Sequence, residues 1–303
     1  MRRLAALALL AVLSATPGLA ETDFNQALAL FSDKNYAEAK PLAEAFAAKG
    51  EARAMVMLGS MYQQGLGVEV SLSKAKEWFG KAAEAGNADA AFVYAQLLLD
   101  DGAGEPNAGE AAKWLQKAAE GGNAKAAFNL ALIFAGTYGA EPKWPDAVQW
   151  FSKAAAGGSA QAEYNLGLLY LDGKGVEQNF VKAADYLSKA ALKGMPEAAL
   201  EYGVLVIRGD GVERDVTIGI KWLRFAADHG HPVAQNRLAR IYAAGAGVPA
   251  DPVQAAMWNL LAAKGGRPDA TLDDLMKRLT AEQKKESEKR AKAFKPEPTP
   301  ELD

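Results

Sequence analysis

The chain has 303 residues, 50% hydrophobic and 23% charged, a globular composition that excludes disorder along most of its length. Its 34 basic and 37 acidic residues leave a net charge of −3, with no basic excess to hold a phosphate backbone, so nucleic acid is not an expected partner. There is no cysteine and there are only two histidines, which removes disulfide frameworks, thiol catalysis and cysteine-ligated zinc and leaves little for histidine-based catalysis.

Residues 1–20 read as a signal peptide. Met1-Arg2-Arg3 is a positive start, Leu4 to Leu13 is an apolar run, and Gly18 and Ala20 stand at −3 and −1 of a cut before Glu21. The apolar run is about half of the ~20 residues that a membrane span requires. The expectation is a mature chain that starts at Glu21 in the periplasm or, as the alternative, is secreted. It would meet a membrane only through a partner. Residues 21–51 read as an N-terminal helical cap of two helices. Their apolar residues recur at Phe24, Leu28 and Phe31, then at Tyr36, Ala39 and Ala43.

From residue 52 to 267 the chain repeats six times with a period of 36, beginning at Ala52, Ala88, Ala124, Ala160, Pro196 and Pro232. A small residue recurs at Gly59, Ala95, Ala131, Gly167, Gly203 and Ala239, each preceded by an apolar one such as Leu58 or Leu166. Three residues later stand Tyr62, Leu98, Phe134, Tyr170, Val206 and Tyr242, on the same helical face. A second helix carries the aromatic column Trp78, Trp114, Trp150, Tyr186, Trp222 and Trp258, which reads as core. Glycine closes each unit at Gly86, Gly122, Gly158, Gly194, Gly230 and Gly266. Asn87, Asn123 and Ser159 then suit the helix N-cap, while Pro196 and Pro232 suit the first helical position. Ser71, Asn107, Asn179, Asp215 and Asp251 can cap the second helices, and Lys143 breaks that column. Gly-x-Gly pairs such as Gly173/Gly175 lie between the two helices and read as turns rather than a phosphate loop, since no strand precedes them. Residues 268–294 read as C-terminal capping helices: Leu272, Leu275, Met276 and Leu279 mark one, and a capping box at Thr280 and Gln283 opens the other. Residues 295–303, with prolines at 296, 298 and 300, are expected to be a disordered tail.

The pattern A-x-x-x-L-G-x-x-Y-x-x-G-x-G-V, then K-A-x-x-W-x-x-K-A-A, resembles Sel1-like repeats, which are related to tetratricopeptide units. Gly167 to Val176 and Lys182 to Ala191 carry the resemblance most closely. It implies an all-α fold, a right-handed superhelical solenoid of antiparallel helix pairs. It also implies a non-enzymatic periplasmic scaffold or adaptor in envelope signalling or complex assembly. The alternative is a glycan- or peptidoglycan-binding accessory protein, for which Tyr164 near Asp172 is the candidate pair.

No catalytic constellation, cofactor motif or metal set is expected. His229-Gly230-His231 coincides with the closing turn of a repeat, and no third ligand is signalled nearby. Alignment with tetratricopeptide columns gives the groove positions of the first helices. In the middle units these include Phe92 and Leu99; Phe128 and Leu132; Tyr164, Leu168 and Leu171; and Leu200, Val204 and Ile207. The same columns hold Val56, Ser60 and Gln63 in the first unit and Asn236, Arg240 and Ala243 in the sixth. An apolar stripe with polar ends marks a binding surface for a helix or extended segment of a protein partner.

Overall fold

The structure, a computed structural model, describes residues 21–100, 106–139 and 141–300. The expected signal peptide lies outside the described residues. The chain divides into two compact units, Met1–Pro142 and Lys143–Asp303. Every regular element among the described residues is a helix. The first unit holds α1 (Glu21–Ser32), α2 (Tyr36–Ala48), α3 (Ala52–Gln64), α4 (Leu72–Glu84), α5 (Ala88–Leu99), α6 (Ala108–Glu120) and α7 (Ala124–Phe134). The second holds α8 (Trp144–Ala156), α9 (Ala160–Asp172), α10 (Phe180–Leu192), α11 (Pro196–Arg208), α12 (Val216–Asp228), α13 (Pro232–Ala244), α14 (Pro252–Lys264), α15 (Ala270–Lys277) and α16 (Ala281–Ala293). Within each unit successive helices up to α15 pack on one another, and α16 packs back on α14.

Capping explains where the helices begin. Asn87 and Asn123 accept the backbone N–H three residues on, at 2.8 and 2.9 Å, and Ser159 does the same for Ala162. Ser71, Asn107, Asn179, Asp215 and Asp251 cap the second helices in the same way. Lys143, Met195 and His231 make no side-chain cap bond; proline in the first helical turn stands in at each. Helix ends use glycine. Gly158 sits at φ +93°, in the left-handed region that side chains disfavour, and its N–H reaches back to Ala155 O. The Gly-x-Gly turn has a second purpose. A Cβ added to Gly175 would lie 2.5 Å from the carbonyl carbon of Trp144, so this glycine admits the start of the preceding repeat's second helix.

The repeat columns form the core. Leu58, Leu130, Leu166 and Leu238 are fully buried, as are Leu115, Leu187 and Trp258. Each such leucine contributes about 1.5–3 kcal/mol of burial. The aromatic column is less uniform than the sequence suggests. Trp150 and Trp258 are buried, but Trp78, Trp114 and Trp222 are half-buried. Tyr94 meets Trp114 edge-on at 5.6 Å, and Tyr202 meets Trp222 likewise. A lysine one turn on covers several of the rings: Lys81 over Trp78 at 4.4 Å, Lys117 over Trp114 at 4.1 Å, Lys153 over Trp150 at 3.8 Å and Lys189 over Tyr186 at 5.4 Å.

Residues 295–300, expected as disordered tail, have no regular secondary structure and lie near two contacts. The N–H of Glu297 donates to Asp228 O at 2.9 Å, and Phe294, just before the tail, meets Trp258 at 5.6 Å.

Candidate partner-binding face

In the first unit, α5 and α7 carry Phe92, Leu99, Phe128 and Leu132, all half-buried. On α3, in the same unit, the corresponding Val56 and Ser60 are buried. In the second unit, Tyr164, Leu168 and Leu171 on α9 and Val204 on α11 are half-buried as well. Two expected groove residues differ. Leu200 is 4% exposed and belongs to the core of α10 to α14. Ile207 turns onto α12 and covers Gly219, whose column holds alanine in the other five repeats. The missing methyl at Gly219 makes room for the longer side chain, so Ile207 packs the helix pair instead of facing a groove.

Two residues not singled out by sequence join Tyr164: Glu197 and Glu201, four apart on α11. His231, read from sequence only as part of a closing turn, precedes α13 beside them. Burial raises the Tyr164 hydroxyl above its ordinary value, with Glu201 and Glu197 adding to it. Burial lowers His231, against the opposing pull of the same two carboxylates. His231 Nδ1 is buried and has no hydrogen-bond partner. Tyr164, Glu197, Glu201 and His231 therefore form one electrostatic group beside Leu168 and Val204. The signal was in the sequence: two glutamates at i and i+4 repel on an isolated helix, and nothing basic lies between them. Asp172, the expected companion of Tyr164, is exposed and pairs with Lys174 at 2.8 Å.

The sixth repeat's positions are occupied from within the chain. Asp269 caps α15 through the N–H groups of Thr271 and Leu272. Its other oxygen accepts from Asn236 at 3.0 Å and from Arg240 Nε at 2.7 Å. These bonds, that of Asn236 foremost, hold the Asp269 carboxyl below the usual carboxylate range. Thus α15 closes the C-terminal end of the face.

His229 Nδ1 donates to Phe225 O at 2.8 Å and its ring lies tilted against Phe225 with centroids 4.1 Å apart, while His231 precedes α13. Among the described residues no group of three or more His, Asp or Glu is placed to hold a metal ion. No helix among them is long and apolar enough to cross a membrane.

Comparison with known proteins bears on this face. The Sel1 repeat family matches residues 52–87, 88–123, 124–159, 160–195, 196–231 and 232–266. A solved Sel1 repeat protein from Oxalobacter formigenes is 30% identical with a TM-score of 0.69, over 80% of this chain and 98% of that one. A protective antigen of uropathogenic Escherichia coli strains, displaying an SLR fold, is 30% identical with a TM-score of 0.73 over 89% of this chain. The match spans 60% of that protein's length. No curated protein sequence matches the chain. Six consecutive matches, in the register of the six helix pairs, establish that the chain belongs to the Sel1 repeat family.

Proposed function

We propose that this protein is a non-enzymatic scaffold of the bacterial envelope whose first-helix face captures a segment of a partner protein. Sel1 repeat proteins generally mediate protein–protein interaction. The observation that carries the reading for this chain is the second unit's face, where Leu168, Leu171 and Val204 flank Tyr164, Glu197 and Glu201. Half-buried apolar side chains supply area, and the two carboxylates favour a segment bearing lysine or arginine beside its apolar residues. The stripe Phe92, Leu99, Phe128 and Leu132 of the first unit offers apolar contact without such charge. The reading includes no chemical step and no cofactor. It places the mature chain in the periplasm, on the leader-like residues 1–20.

A photocrosslinker at Leu168, in cells that express the chain, tests this. Discrete protein adducts from Leu168, absent when the probe stands at the exposed Lys113 of α6, are expected. Adducts with cell-wall glycan in place of protein would move the function to carbohydrate binding. No difference between the two probe positions would remove the basis for this face.

A further inference from the structure

The lysine column stops before the array does. Lys81, Lys117, Lys153 and Lys189 are followed at the same repeat position by Phe225 and Leu261. Where the charge disappears, residues 294–300 lie close by. Phe294 at the end of α16 meets Trp258. The tail then turns back over the end of α12, giving the Glu297 N–H to Asp228 O. Pro296 lies against Gly230, where an added Cβ would be 3.3 Å from its ring, and Pro300 lies against Gly194, one repeat earlier. His229 Nε2 is 4.0 Å from Glu297 Oε2. Gly86, Gly122, Gly158 and Gly266, the equivalents of Gly194 and Gly230 in other repeats, have nothing within 4 Å of an added Cβ. The prolines thus seat on the bare backbone of two closing turns, one repeat apart.

The hold is light. Every residue from 295 to 300 is exposed, and one backbone hydrogen bond and the 4.0 Å approach of Glu297 Oε2 to His229 Nε2 hold the run. Glu297 also brings negative charge beside Asp228, whose carboxyl burial already pushes up. A segment meant only to finish the fold would be expected to bury side chains, as Phe294 does. We propose that the edge formed by Phe225, Asp228, His229, Gly230 and Gly194 is a docking site for an extended, proline- and glutamate-bearing segment, and that residues 295–300 are its intramolecular plug. When the tail lifts, a partner segment of the same chemistry takes the seat: prolines on the two closing glycines, and a backbone N–H to Asp228 O between them. This site is separate from the first-helix face and does not depend on it.

The test uses a labelled peptide of residues 294–303 and three proteins: the full chain, a chain ending at Phe294, and the full chain with Glu297→Pro, which lacks the anchoring N–H. The peptide is expected to bind the shortened chain at least tenfold more tightly than the full one. A peptide with its three prolines changed to alanine should bind at least tenfold more weakly. In the full chain the Glu297 amide should exchange at least tenfold more slowly than in the free peptide, and Glu297→Pro should take up the labelled peptide as the shortened chain does. Equal binding to full and shortened chains, or an unprotected Glu297 amide, overturns the proposal. A full chain that sediments as a dimer by exchanging tails overturns the intramolecular plug. Should the shortened chain fold poorly, amide exchange and Glu297→Pro, both in the full chain, decide alone.

Discussion

Replacing Gly219 with alanine would restore the residue that the other five repeats carry at this position, in the middle of no turn and at ordinary helical φ. Helix propensity alone favours the change by about 1 kcal/mol. The packing opposes it. A Cβ at Gly219 would lie 2.7 Å from Gly203 O on α11 and would collide with Ile207 Cγ1. A Cβ at Gly203 would in turn lie 2.9 Å from Gly219 O. These obstacles include backbone, which no rotamer change can clear, so α11 and α12 must separate. Overpacking of a tight core costs about 1–3 kcal/mol, and fixed backbone puts this case near the top of that range. The net expectation is a loss of about 2 kcal/mol, or a melting temperature lower by roughly 4–8 °C for a unit of this size. Circular dichroism at 222 nm during heating measures it. The control is Gly109→Ala on α6, where only Asn107 Oδ1 lies within reach, at 3.8 Å; that change should stabilise by about 0.5–1 kcal/mol. If Gly219→Ala raises the melting temperature as Gly109→Ala does, the close approach of α11 and α12 is not what selects glycine there.

Other outcomes follow from individual contacts. Leu166→Ala, at a fully buried position, should cost roughly 2–5 kcal/mol, whereas Leu168→Asp, half-buried on the proposed face, should lower the melting temperature by much less; the reverse order would assign Leu168 to the core. His231→Asn places a capping side chain where none bonds now and removes a buried nitrogen without a partner, so urea unfolding should show a gain of about 1 kcal/mol. Asp269 titrates below its unfolded value, so its stabilising effect is present above the unfolded pKa and disappears as pH falls through the lower folded one. The protection of the α15 amides, relative to the intrinsic exchange rate at each pH, should therefore fall in acid, and Asp269→Asn should abolish that dependence.

Much of the fold was legible because each repeat states it again. The caps at Asn87, Asn123, Ser159 and the five second-helix positions could be read singly, since a short side-chain acceptor before an apolar helix has few other uses. The exceptions at Met195 and His231 were legible too, with proline beside each, whereas at Lys143 only the break in the column was read and not Pro145 two residues on. The face was less so. Its positions follow from the column, but Ile207 leaves the groove because of a glycine twelve residues away, on another helix, and that compensation is visible only once α11 and α12 are side by side. The group around Tyr164 needed three elements, α9, α11 and the start of α13, brought together from successive repeats. The tail was the hardest. Three prolines in nine residues speak for disorder on composition, and nothing local tells that two glycine turns far earlier in the chain will receive them.

The lysines laid over Trp78, Trp114, Trp150 and Tyr186 also govern how such an array could be lengthened. A repeat that carries its own lysine brings a hydrated cation over the outer face of its ring, so a further copy inserted before residue 196 would remain self-sufficient in water. The last two repeats lack that lysine. Phe225 and Leu261 hold its position, Leu261 is buried, and α16 packs on α14. Duplicating residues 196–267 would give two copies of α14 with only one α16 to cover them. Growth of the array is therefore expected to be harmless in its middle and to cause self-association at its C-terminal end, a difference that light scattering on the two elongated chains would measure.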